Sequence, residues 1–184
     1  MSWAFVSLAA AAASPWRNGG GVTRELLAWP SSAEWRVRIS VADIERNGAF
    51  SAFPGIERWF AVLEGEGVVL QVEGVRRRLT TASDPLRFDG GASVFAELVD
   101  GATRDFNLMA PPGAAQLQRV QGTLRRDVPA DRLVAVYAHA KSAQVRMDDG
   151  TTKVPAATLA WRRMVEPSCI EVESGDALWM EVTL

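Results

Sequence analysis

The sequence predicts an all-β protein, and three observations carry the prediction. Apolar and polar residues alternate with a period of two, most clearly along Trp35-Arg36-Val37-Arg38-Ile39-Ser40-Val41-Ala42, the mark of a strand with two distinct faces. Short strand candidates recur at spacings of about ten residues between turn-forming clusters, the rhythm of sandwiches and barrels. No stretch combines a sustained helical period with capping residues.

Taken in order, the first element is the apolar run Leu8 to Ala13. It is too short to span a bilayer, and no basic region precedes it as a signal peptide would require. It reads as an edge strand or turn of a cytoplasmic protein. Pro15 to Glu25 then packs Trp16, Asn18, Gly19, Gly20, Gly21, Thr23 and Glu25 into eleven residues. Successive glycines cost chain entropy on folding and mark a sharp turn or a close approach. The block is either the wall of a small-molecule pocket or a turn leading into a first strand.

Along Trp35 to Ile44, Trp35, Val37, Ile39 and Val41 share one face, and Arg36, Arg38, Ser40 and Ala42 the other. Ser40 to Arg46 has the length for one helical turn, but its β-branched residues favour strand. Arg58 to Leu63 is the next strand. Gly67 to Glu73 and Val75 to Thr80 make a hairpin about Glu73-Gly74. Ala92 to Val99 and Asp105 to Met109 follow. The breaker cluster Ala110-Pro111-Pro112-Gly113 divides an N-terminal β unit, 1–110, from a smaller C-terminal one, 111–184, with N-terminal strands free to be shared. In the second unit strands fall at Leu117 to Leu124, Leu133 to Ala138, Ala143 to Met147, Thr158 to Met164, Cys169 to Glu173 and Ala177 to Leu184. Asp149-Gly150 and Ser174-Gly175-Asp176 punctuate them.

Composition excludes several function classes. A chain of 184 residues buries a substantial core without staples. A net charge of −2 offers no footprint for nucleic acid or an anionic membrane. Cys169 is the only cysteine, which removes internal disulfides and Cys-cluster metal sites, and His139 is the only histidine, which removes a multi-histidine site within one chain. Arginine outnumbers lysine 18 to 2; coding bias is the plain reading, and bidentate carboxylate clamps the sharper one.

Arg58 is the first candidate for such a clamp. Facing a barrel interior it would pair bidentately with a ligand carboxylate; otherwise it is solvated, or paired with Glu57 or Glu64. On a strand, Asp105 and Asn107 share one face while Phe106 and Leu108 take the other. Inward polar groups satisfy each other or address a ligand. Trp16, Asn18, Thr23, Glu25 and Ser40 join the candidate set. His139 and Cys169 lack the neighbours that would make them reactive. Arg76-Arg77-Arg78 reads as a charged edge strand.

The blocks Pro15 to Glu25, Trp35 to Ile44, Gly48 to Arg58, Leu63 to Gly67 and Asp105 to Met109 occur in that order, and together they resemble the HutD/Ves family of cupin-like proteins over residues 12–110. The resemblance implies a double cupin, two jelly-roll units in one chain. It also implies an accessory or regulatory role in bacterial histidine catabolism, through binding of a small anionic metabolite such as formylglutamate or urocanate. Arg58 would clamp the carboxylate. Trp16, Asn18, the Gly19–Gly21 backbone, Thr23, Glu25, Ser40, Asp105 and Asn107 would complete the site. Many cupins bind metal through histidines and a glutamate, but the segment Phe53 to Phe60 contains no histidine. No metal and no cofactor is therefore expected. The alternative is a metal-independent isomerase or hydrolase using Glu25 or Asp105 as acid or base. The oligomeric state stays open, a homodimer included.

Overall fold

The computed structural model describes residues 2–184; Met1 lies outside the described residues. Strands follow in the order β1 (Ala4–Ser7), β2 (Ala13–Pro15), β3 (Gly21–Trp29), β4 (Val37–Ile44), β5 (Gly48–Ala49), β6 (Glu57–Glu64), β7 (Val68–Val72), β8 (Val75–Leu79) and β9 (Leu86–Asp89). They continue with β10 (Val94–Leu98), β11 (Thr103–Ala110), β12 (Ala115–Val128), β13 (Arg132–Ala138), β14 (Ala143–Met147), β15 (Gly150–Val154), β16 (Thr158–Met164) and β17 (Ser168–Thr183). A 3-10 turn at Leu8–Ala10 is the sole helical element among the described residues. The all-β prediction is met, and the chain divides into two compact units.

One unit is Ala11–Gly113. It contains a six-stranded sheet, β2-β3-β4-β11-β6-β9, and a four-stranded sheet, β5-β10-β7-β8. Both contribute to one apolar cluster, with Ile44, Phe60, Val62 and Phe88 from the first and Val68, Leu70, Val94 and Ala96 from the second. Two antiparallel sheets around a shared core make a nearly closed barrel. The β7–β8 hairpin turns on Glu73-Gly74, both at positive φ (46° and 85°), the twist-matched turn that hairpins favour. On β4 both faces are buried: Val37, Ile39 and Val41 on one, Ser40, Ala42 and Ile44 on the other. The clean alternation in the sequence is therefore a choice between two interiors and not between core and water.

The other unit is Ala114–Leu184 with the N-terminal segment up to Ala10. It is a seven-stranded sheet, β1-β16-β13-β17-β14-β15, with β12 against β17. Val134, Val136, Val145, Ala160, Ile170, Val172 and Trp179 are among the residues of its core.

Three sequence expectations need correcting. Cys169 to Glu173 and Ala177 to Leu184 are parts of one strand, β17, which pairs with β12 almost throughout. Ser174-Gly175-Asp176 is an irregularity within it: the ladder shifts between Val120 and Gly122 opposite, and Ser174 Oγ accepts the Asp176 N–H at 3.1 Å. Strand β12 runs from Ala115 to Val128, longer than the expected segment. Strand β3 is the first strand that one reading of the Pro15 to Glu25 block led into, whereas β1, β2, β5, β9 and β15 were not anticipated, being short and without strict alternation.

Candidate functional site

A cavity of about 450 Å³ opens inside the first unit. At ~30 Å³ per water this is room for roughly fifteen waters, far more than a lone inorganic anion fills. Strand β4 lines it with Arg38, Ser40, Ala42 and Ile44, strand β6 with Arg58 and Phe60, and strand β11 with Asn107 and Met109. These are the inward residues at alternate positions of neighbouring strands, so one pleat aims them all at the same space. Thr23, Ala49, Phe50, Ser51, Phe53 and the Trp16–Asn18 segment complete the wall.

Arg58 dominates the chemistry. It is 6 % exposed. Its Nη2 donates to Asn107 Oδ1 at 2.9 Å and its Nη1 to the Ser51 carbonyl at 3.3 Å, both neutral acceptors. The Nε is buried with no hydrogen-bond partner. The guanidinium stands 5.0 Å from the Phe50 ring centroid, 5.3 Å from Phe88 and 5.8 Å from Phe53. Burial, with the charge of Arg38 nearby, lowers its pKa to about 10, so it remains a cation at neutral pH. No carboxylate forms an ion pair with it among the described residues.

Arg38 differs. Its Nε donates to Glu25 Oε2 at 2.8 Å, and its guanidinium lies 6.0 Å from the Trp35 ring. Glu25 also accepts from Ser32 Oγ at 3.1 Å. Arg38, unlike Arg58, is thus already matched by a carboxylate of the chain. Trp16 donates its Nε1–H to Thr23 Oγ1 at 2.8 Å and meets Phe50 edge-on at 6.2 Å.

Of the residues singled out from sequence, Trp16, Asn18, Thr23, Ser40, Arg58 and Asn107 line the cavity together. Gly19, Gly20, Gly21, Glu25 and Asp105 do not, and each has a physical reason. The glycine backbone is spent on the turn: Gly19 N–H donates to Trp16 O at 3.0 Å, Gly20 N–H to Asn18 Oδ1 at 2.9 Å, and Gly20 O accepts from Glu45 N–H at 2.9 Å. Gly21 is required by packing, since a Cβ there would sit 2.3 Å from Asp43 O. Glu25 is held by Arg38. Asp105 shares the inward face of β11 but is sealed at 0 % exposure, its Oδ2 accepting from Thr103 Oγ1 at 2.7 Å. Burial raises its pKa to about 7, against the Thr103 hydrogen bond and with the Asp43 charge adding. Neither carboxylate named for the acid–base alternative therefore reaches the wall.

Sequence reasoning missed Arg38, Phe50, Phe53, Phe60 and Met109. Arg38 and Met109 were findable, because they stand two residues from Ser40 and Asn107 on the same strand faces. The phenylalanines of the loop before β6 carried no such signal. That loop is seated by Gly90, whose N–H donates to Ile56 O at 2.7 Å while its carbonyl accepts from Phe53 N–H at 2.6 Å. A Cβ on Gly90 would lie 2.7 Å from Ile56 O.

The donor set does not fit a cupin metal. No three His, Cys, Asp or Glu side chains converge among the described residues, and the wall carries three arginines, Arg17, Arg38 and Arg58, where metal-binding barrels present imidazoles and a carboxylate. No helix is long and apolar enough to cross a membrane.

Comparison with known proteins adds to this geometry. The HutD family model matches residues 8–180. A Pseudomonas putida protein described by its place in the hutC 3′ region is 34% identical over 172 residues, 89% of this chain and 83% of that protein. HutD from Pseudomonas fluorescens SBW25 matches with a TM-score of 0.84 and 29% identity, over 99% of this chain and 98% of that one. A cupin 2 conserved barrel domain protein from Leptotrichia buccalis shares the fold with a TM-score of 0.55 and 13% identity, over 89% of each chain.

Proposed function

This chain belongs to the HutD family, and from that premise we propose that its barrel cavity binds a small anionic metabolite, with Arg58 as the anchor. One observation carries the reading: Arg58 is a buried cation whose hydrogen-bond acceptors are neutral. A buried charge without a counter-charge costs several kcal/mol. The three phenylalanine rings return part of that, about 0.5–2 kcal/mol for each favourable ring contact. A carboxylate would supply the rest through charge-assisted hydrogen bonds. Asn107 and Ser51 fix the guanidinium plane, and Ser40, Thr23 and Asn18 offer polar groups to the ligand's body.

The P. putida relative takes its description from the hutC region. That supports an accessory or regulatory role in histidine utilisation, with formylglutamate and urocanate as the first ligands to test. The same reading takes the two compact units as the paired jelly rolls of a double cupin, in a cytoplasmic protein that needs no cofactor.

The test is thermal. A ligand that binds only the folded state contributes about 2.7 kcal/mol at a hundredfold excess over Kd, which for a chain of this size is a rise in Tm of roughly 5–10 °C. Formylglutamate or urocanate should produce it in the wild-type protein and not in Arg58→Ala. A melting curve that neither compound moves overturns the reading.

A further inference from the structure

We propose that anion binding in this cavity is coupled to a proton on Asp105, which sits one strand repeat below the anchor site on β11. The inference rests on the anion reading above. Asp105, Asn107 and Met109 alternate along one face of β11, so Asp105 lies about 7 Å from Asn107 at ~3.4 Å per residue. Asn107 accepts from Arg58 and lines the cavity. Asp105 is fully buried, and its Oδ1 has no hydrogen-bond partner.

Its carboxyl has one side-chain hydrogen-bond partner, the Thr103 hydroxyl, and the charge that acts on it is that of Asp43. Across the ladders Asp105 faces Ala42 of β4 and Val62 of β6. Val62 belongs to an apolar cluster with Ile44, Val68, Leu70 and Ala96. Asp43 of β4 is held by Arg24 and Arg104 at 2.7 Å each, and Arg104 also pairs with Glu64 of β6 at 3.0 Å. These charges balance among themselves on the alternate positions, and Asp43 disfavours a second carboxylate nearby.

The consequence follows from charge alone. As a neutral acid, Asp105 adds no charge beneath an incoming anion. As a carboxylate, it repels the guest through an interior that screens poorly. Binding the anion holds the proton on Asp105 more tightly, and by linkage the proton strengthens anion binding. No bond is made or broken beyond this protonation, and the proton comes from solvent.

Formate tests this, because its charge is constant from pH 6 to 8.5. Carboxyl carbon NMR of the wild-type protein should show Asp105 titrating near pH 7, and saturating formate should move that midpoint upward. Formate should bind roughly five- to tenfold more tightly at pH 6 than at pH 8.5, a tenfold change corresponding to one pKa unit. In Asp105→Asn, the affinity should be the same at both values. An Asp105 midpoint in the ordinary carboxylate range, or one that saturating formate leaves in place, overturns the proposal without reference to any variant. Formate that binds equally at both pH values overturns the coupling alone. Formate that binds at neither overturns the anion reading as well.

Discussion

Arg58 and Arg162 are both buried, at 6 % and 9 % exposure, yet their surroundings are opposite. In the C-terminal unit, Arg162 donates to Asp149 Oδ2 at 3.1 Å and contacts Met147 Sδ at 3.4 Å, with the Trp3 ring 5.8 Å away. The chain supplies its counter-charge, and the core beside it is filled with small and branched apolar residues. In the other unit, Arg58 is given aromatic rings and neutral carbonyls, and an open cavity in place of a carboxylate. Burying an arginine does not by itself make a receptor. What sets Arg58 apart is that no carboxylate of the chain pairs with it among the described residues.

The comparison breaks or sharpens at three points. The largest effect is expected at the two arginines. Arg58→Ala should weaken carboxylate binding by roughly 2–5 kcal/mol, partly because the ligand charge is left uncompensated, while unfolding in urea shifts little. Arg162→Ala should do the reverse, losing stability through lost packing of its stem and leaving affinity unchanged. Equal affinity losses in both variants would erase the distinction.

Next comes Asp105, the buried acid of the pocket unit. Its pKa is raised in the folded state, to about 7. The stability it contributes is therefore fully present below the unfolded value near 3.9 and is lost as pH rises toward 7. Relative to Asp105→Asn, the wild type should lose up to about 1.4 kcal/mol per pH unit over that window and level off above it. Parallel urea-derived profiles for the two proteins would contradict the burial that drives the shift. The smallest effect is expected at Asp149, which is 62% exposed. Asp149→Ala should cost on the order of 1 kcal/mol, between an exposed pair and a buried orphaned charge. No change in urea midpoint would mean that Arg162 is satisfied without it.

How much of this was legible in the chain depended on the range of the signal. Alternation is local, so β4 and the inward face of β11 could be read directly. Arg58 was legible chiefly through the resemblance of the Gly48 to Arg58 block, because composition alone reads it as a solvated or internally paired arginine. The glycines at 19–21 were legible as a constraint, but the constraint is the Asp43 carbonyl beside Gly21 and not a ligand. The pairing of Glu25 with Arg38 needs the β3–β4 register, which a bulge between Glu25 and Leu27 shifts. The phenylalanine cage draws on a loop seated by Gly90, some forty positions after Phe50, and no short-range pattern announces that. Ser174-Gly175-Asp176 has the composition of a turn, and only the long ladder with β12 keeps it inside a strand.

Strand β8 ends the four-stranded sheet, and Arg76, Arg77 and Arg78 are exposed along it. Two copies meeting antiparallel about Arg77 would set Arg77 against Arg77 and Arg76 against Arg78, at the ~4.8 Å spacing of paired strands. Glu97 answers one of these charges, at 2.7 Å from Arg76, and the remainder repel. The edge thus acts as a colloidal guard: it keeps an open row of backbone donors and acceptors from recruiting its own kind as the protein accumulates.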